Sequence, residues 1–134
     1  MRAETTKMRQ LHIVPLSSQA KEILRQLKEV SGYSQYLLPS QGRQKNPIMS
    51  ENTVNKALHD MGYKGQLVGH GFRSTASTIL NEQGFAPDVI ERQLAHMPRD
   101  KVRAAYNRAQ YLPERRKMMQ WWGDYLERAG MQVF

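Results

Sequence analysis

The 134-residue chain has no cysteine, which excludes disulfides, thiol nucleophiles and thiolate metal sites together and is compatible with a reducing compartment. No apolar run approaches the roughly 18 residues that a membrane span needs, and the charged, polar opening "MRAETTK" is unlike a signal peptide. The chain reads as soluble, with no membrane partner. Negative charge is scarce: 12 Asp and Glu stand against 20 Lys and Arg, a formal net charge of +8. That excess points to a polyanion, nucleic acid first. The four histidines, His12, His59, His70 and His96, show no HExxH or similar helical spacing for zinc. Neither an internal repeat nor a low-complexity tract is visible, and the length fits a single domain over 1–134 with one core.

What is present is mostly helical periodicity. "KMRQLHIVPLS" alternates loosely and predicts a strand stopped by Pro15, its partner lying upstream as in a domain cut from a longer protein. Ser17 or Ser18 caps a helix whose Ala20, Ile23, Leu24, Leu27 and Val30 recur at helical spacing, with Gly32 as the stop. "GYSQYLLPSQGRQKNPIMS" reads as a buried strand-like "YLL" followed by a basic loop. Ser50 is expected to cap a helix through Met61, with Val54, Ala57, Leu58 and Met61 on one face. Further helices are expected over 72–83 (Phe72, Ala76, Ile79 and Leu80 apolar, Gly84 the stop), 87–95 and 101–108. Met118, Met119, Trp122, Tyr125 and Leu126 mark a last amphipathic helix. The expected fold class is mostly α (α+β), a helical bundle with a small antiparallel sheet near the N-terminus.

His70 and Arg73 stand three apart at a helix entrance, on one face and beside the positive end of the helix dipole. Arginine's planar fork matches two nonbridging phosphate oxygens, and a histidine beside it can donate a hydrogen bond or relay a proton. An isolated H-x-x-R arises often by chance; here "QLAH" brings His96 and "VRAAYNR" brings Tyr106 ten residues later. A tyrosine oxygen can attack a phosphodiester and hold it as a covalent ester, provided cations neutralise the oxygens and an acid protonates the leaving alkoxide.

The ordered set HGFR, QLAH and AAY, with "IVPLS" ahead of it, resembles the C-terminal catalytic domain of tyrosine recombinases, the phage-type integrase family, from about Lys7 to the last helix. The resemblance implies site-specific DNA integration and recombination without a metal or other cofactor, by strand cleavage and rejoining through a 3′-phosphotyrosyl intermediate. It also implies that Tyr106 is the nucleophile and that Arg73 clamps the scissile phosphate. His70 is implied as a proton acceptor or hydrogen-bond donor, His96 as a hydrogen-bond donor to a nonbridging oxygen, and Lys7 as general acid toward the 5′-oxygen. Tyr111 is the rival nucleophile; five residues on, it cannot point the same way on a helix. The implied partners are double-stranded DNA at attachment sites and other protomers in a synaptic complex, in the bacterial cytosol of a host carrying a prophage or other mobile element.

One departure stands out: the family's first arginine, in a T-G-x-R-x-x-E-like motif, has no counterpart before Lys7 in these residues. The chain by itself is therefore expected to be nearly inactive. Arg43, Lys45, Lys64, Arg99, Lys101, Arg103 and Arg108, with Arg115 and Arg116, are candidates for a DNA backbone track that would make binding steeply salt-dependent. Trp121 and Trp122 beside Met118 and Met119 read as a core or interface patch rather than a base-stacking platform. Two alternatives stay open: a non-catalytic helix-turn-helix module around Gly84 and a degenerate integrase remnant.

Overall fold

A computed structural model describes residues 12–40, 46–96 and 110–132. Five α-helices make up most of what is described. Helix α1, Ser18–Ser31, starts where its sequence says it should: Ser17 is the N-cap, its Oγ accepting from the Ala20 amide at 3.2 Å. Helix α2, Thr53–Leu58, is shorter than expected and begins beyond Ser50, whose hydroxyl accepts from the Asn52 amide at 3.3 Å instead of capping the helix. It opens into a wide π-type turn over His59–Tyr63, because Gly62 adopts φ 97°, where a helix cannot continue.

Helix α3, Gly69–Glu82, begins ahead of its apolar stripe. Asn55 explains the early start: its Oδ1 reaches across from α2 and accepts from the Gly69 amide at 2.8 Å, satisfying a donor that the helix itself leaves orphaned. Phe72, expected in the stripe, is exposed. Helix α4, Pro87–Gln93, has Pro87 and Asp88 in its first turn, and α5 spans Leu112–Arg128.

Leu80 of α3, Val89 and Ile90 of α4 and Met118 of α5 form the buried core, and Phe85, Leu94, Tyr111, Met119, Trp121 and Trp122 pack around it. The tryptophans therefore serve the core. Trp121 meets Phe85 edge-on at 5.4 Å and stacks on Tyr125 at 5.3 Å, and Trp122 also stacks on Tyr125 at 5.5 Å. Helix α1 lies against α5. Their close approach is made at Gly123, where a Cβ would fall 2.9 Å from the Ser17 Cβ and 2.8 Å from its Oγ.

The small antiparallel sheet is not found among the described residues. Residues 12–17 run as irregular backbone, the earlier part of the expected strand lies outside the described residues, and the pairing present is one isolated antiparallel bridge, Pro39 with Ile48. A strand needs a partner edge, and Pro15 has no amide hydrogen to offer one. The "YLL" segment is not buried either: Leu37 and Leu38 are exposed. The expected helix over 101–108 and the basic loop at 41–45 lie outside the described residues.

Candidate active site

The site is built on the way α4 ends. A helix leaves its last carbonyls without intrahelical partners, and each must be satisfied. Here every one is accounted for. The Ile90 carbonyl accepts from the Leu94 amide at 2.9 Å, Glu91 from His96 at 2.9 Å and Arg92 from Ala95 at 3.2 Å. The Gln93 carbonyl accepts from His12 Nε2 at 3.2 Å, and the Leu94 carbonyl from Arg73 Nη2. So Arg73, from α3, is fastened to the chain two residues before His96.

The last of these turns is a Schellman closure with the usual glycine replaced by alanine: Ala95 adopts φ 52°. The two other such closures, at the ends of α3 and α5, place Gly84 and Gly130 at that position. Where this motif ordinarily adds an apolar contact, the α4 end instead has His96 Nδ1 hydrogen-bonded to Glu91 Oε2 at 2.8 Å. That bond fixes the imidazole and leaves Nε2 as the nitrogen open to a further partner.

His70, Arg73, Ser74, Ser77, Thr78, Leu94 and His96 line one groove of about 270 Å³. Three of the residues singled out from sequence thus come together, from chain positions 26 residues apart at the extremes (96 − 70). The hydroxyls of Ser74, Ser77 and Thr78, one α3 face at helical spacing, were not singled out.

Positive charge is concentrated at the same end of α4. Arg92 Nε donates to Gln110 Oε1 at 3.3 Å; Arg115 donates to Gln93 Oε1 at 2.9 Å, to the Ile13 carbonyl at 2.6 Å and to the Gln110 carbonyl at 3.2 Å. Among the described residues, none of Arg73, Arg92 and Arg115 forms an ion pair with a carboxylate. Their acceptors among the described residues are neutral oxygens. His12 registers the field: burial first, then the charge of Arg115, hold its pKa below 6.5 against the opposing pull of the Gln93 carbonyl, with lesser lowering from Arg92 and Arg73.

Arg115 is fully buried and cannot belong to the surface DNA track in which its charge had placed it, whereas Arg116 is exposed. Its position in the α5 repeat, three before Met118, was the available signal. Lys64 lines a different shallow cleft with Asn52, Asn55, Lys56, His59 and Asp60. Lys7, Arg43, Lys45, Arg99, Lys101, Arg103, Tyr106 and Arg108 lie outside the described residues. Tyr111 is part of the packing around the core.

In this mostly helical domain His70, Arg73 and His96 share one groove, and among the described residues Arg73 pairs with no carboxylate. Residues 1–112 match the phage integrase family, and the chain belongs to it. It is 50% identical over 127 residues to the prophage integrase IntA of Escherichia coli K12, covering 95% of this chain and 30% of that protein. It is 52% identical over 125 residues to the integrase of Enterobacteria phage P4 (90% and 28%) and 44% identical over 126 residues to the prophage integrase IntS of Escherichia coli K12 (93% and 32%). The chain thus spans about three tenths of the length of these relatives. No solved structure matches it. No helix among the described residues is long and apolar enough to cross a membrane.

Proposed function

We propose that this chain is the catalytic domain of a site-specific DNA recombinase, acting on double-stranded attachment sites with other protomers. In this reading the Tyr106 oxygen bonds to the scissile phosphorus as the bond to the 5′-oxygen breaks, leaving a 3′-phosphotyrosyl ester that a 5′-hydroxyl later reverses. Arg73 neutralises the nonbridging oxygens, His96 donates a hydrogen bond to one of them, His70 receives the phenolic proton and Lys7 gives a proton to the departing 5′-oxygen. No cofactor enters this chemistry. Arg43, Lys45, Lys64, Arg99, Lys101, Arg103 and Arg108 supply phosphate contacts along the duplex, in the bacterial cytosol.

The observation that carries the reading is the shared groove of His70, Arg73 and His96, with Arg73 bonded beside His96. The helix-turn-helix alternative fits less well: α4 is short, buries Val89 and Ile90, has Asp88 and Glu91 in its seven residues and engages Arg92 with Gln110. These 134 residues hold no T-G-x-R-x-x-E-like segment. Loss of one preorganised donor costs on the order of 10²–10³ in rate, so trapping of a nicked suicide duplex by this chain is expected to be slow. The adduct that does form should map to Tyr106 and vanish in Tyr106→Phe, with DNA affinity kept within twofold. Adduct persisting in that variant, or fast trapping by the unaltered chain, overturns the corresponding part of the reading.

A further inference from the structure

Arg115 is the largest fully buried side chain of the described residues, and it is charged. Burying a guanidinium is costly, and the nearby charge of Arg92 adds to the cost. For stability alone an apolar side chain of similar volume serves as well or better. What an apolar residue cannot do is hold three chain segments at once. The three bonds of Arg115 go to the Ile13 carbonyl, the Gln93 side chain and the Gln110 carbonyl, which belong to three separate parts of the sequence.

Each of those parts leads to a residue of the reading above. Ile13 lies six residues after Lys7, Gln93 three before His96 and Gln110 four after Tyr106. Gln110 is held twice, by Arg115 through its carbonyl and by Arg92 through its side chain. The next residue, Tyr111, turns into α5 through the left-handed region at φ 49°. A non-glycine residue stays in that region only where its surroundings fix it, and the Tyr111 carbonyl accepts from the Arg115 amide at 2.8 Å. The guanidinium is a rigid planar fork, so it sets distances and angles among its acceptors that a lysine ammonium on a flexible stem does not.

We propose that Arg115 is a positioning residue for strand cleavage: by bonding Ile13, Gln93 and Gln110 together, it fixes Gln110, four residues after Tyr106, against the α4 end that presents His96. This rests on the reading of Tyr106 as nucleophile. In this proposal Arg115 acts through the chain on either side of the reacting atoms rather than on those atoms themselves.

The test uses this chain and a nicked duplex whose scissile linkage is a methylphosphonate. That linkage has one anionic oxygen fewer to neutralise, which relaxes the demand for a second arginine. Two products are counted: the covalent protein–DNA adduct, mapped by peptide mass, and strand cleaved by water without an adduct. The unaltered chain should give adduct at Tyr106. Arg115→Met should slow adduct formation by on the order of 10² and shift the partition toward water, with far-UV circular dichroism and DNA affinity unchanged. Arg115→Lys, which keeps the charge but not the fork, should recover only a part of the rate. A merely structural role lowers both products together and leaves the partition alone; that outcome, or adduct formation within threefold of the unaltered chain, overturns the proposal. Should Arg115→Met fail to fold, Arg92→Leu releases one of the two grips on Gln110, and an unshifted partition there overturns it equally. If the unaltered chain reacts at Tyr111 or not at all, the reading of Tyr106 falls and takes this inference with it.

Discussion

Two polar networks tie helices of this domain together, each bridged by glutamine but to opposite electrostatic ends. Where α1 meets α5, Gln19 Nε2 donates to Asp124 Oδ1 at 2.9 Å and to Glu127 Oε2 at 2.8 Å, and Gln120 Nε2 donates to Asp124 at 2.8 Å and to Ser18 Oγ at 3.0 Å. Where α4 ends, Gln93 and Gln110 accept from Arg115 and Arg92. Glutamine is the bridge in both. In the first its amide hydrogens satisfy carboxylates; in the second its oxygens satisfy guanidinium groups, and among the described residues no carboxylate balances them. The first network is complete as a structural clasp. The second leaves its guanidinium groups on neutral acceptors among the described residues, and in the proposed function that charge serves the DNA phosphate.

If the clasp is purely structural, damage to it should appear as lost stability. Gly123 is the position to strike. An added methyl there meets Ser17 Oγ at 2.8 Å and Cβ at 2.9 Å as well as the Gln19 amide oxygen, and Ser17 is anchored as the α1 cap. Alanine gains about 1 kcal/mol of helix propensity over glycine, yet forced overpacking costs about 1–3 kcal/mol, and a cap loss adds about 1 kcal/mol. Gly123→Ala should therefore destabilise the chain by about 1–3 kcal/mol in urea, read from Trp121 and Trp122 fluorescence. An unchanged or raised midpoint would mean that α1 does not bear on α5 at this point.

Acid should separate the two networks. His12 has its pKa lowered from 6.5 in the fold, so the unfolded chain takes up that proton first. Its contribution is whole above about 6.5 and is lost as pH falls below that value. Asp124 has its carboxyl pKa lowered from 3.8 by the hydrogen bonds from Gln19 and then Gln120, so its contribution is whole above 3.8 and is lost only as pH falls below it. Between pH 6.5 and 5 the α4 end weakens while the clasp stands. The urea midpoint should drop between pH 7.5 and 5.5. His12→Asn, which can still donate to the Gln93 carbonyl but cannot be protonated, should at least halve the drop. An undiminished drop in His12→Asn assigns the effect to another group.

The sequence was most legible where one residue decides one local event. Ser17, one of the two expected candidates, caps α1, Gly84 closes α3 in the left-handed region as expected, and His70, Arg73 and His96 share a groove. It was least legible where a side chain answers to a distant segment. Asn55 starts α3 from fourteen residues away, and Arg115 reaches 102 residues back to Ile13. Composition counts Arg115 as one more surface charge; only its place beside Met118 on α5 hints at burial. The described part of the expected strand, 12–17, is irregular for a similar reason, since alternation says nothing about whether an edge is there to pair with.

Ala95 gives the smallest of these tests and the most local. Its left-handed backbone, at φ 52°, costs a non-glycine residue about 1–2 kcal/mol, and Gly84 and Gly130 show what the same closure uses when only folding is at stake. Ala95→Gly removes that strain but adds about 0.5–1 kcal/mol of backbone entropy to the unfolded chain. The net expectation is a gain of about 0.5 kcal/mol in the urea midpoint. Function should move the other way, because the freed hinge lies immediately before His96 and loosens the hold of the Glu91 bond on its ring. Trapping of DNA should fall a few-fold. A stabilised variant with undiminished trapping would show that Ala95 is tolerated at this turn without fixing the histidine.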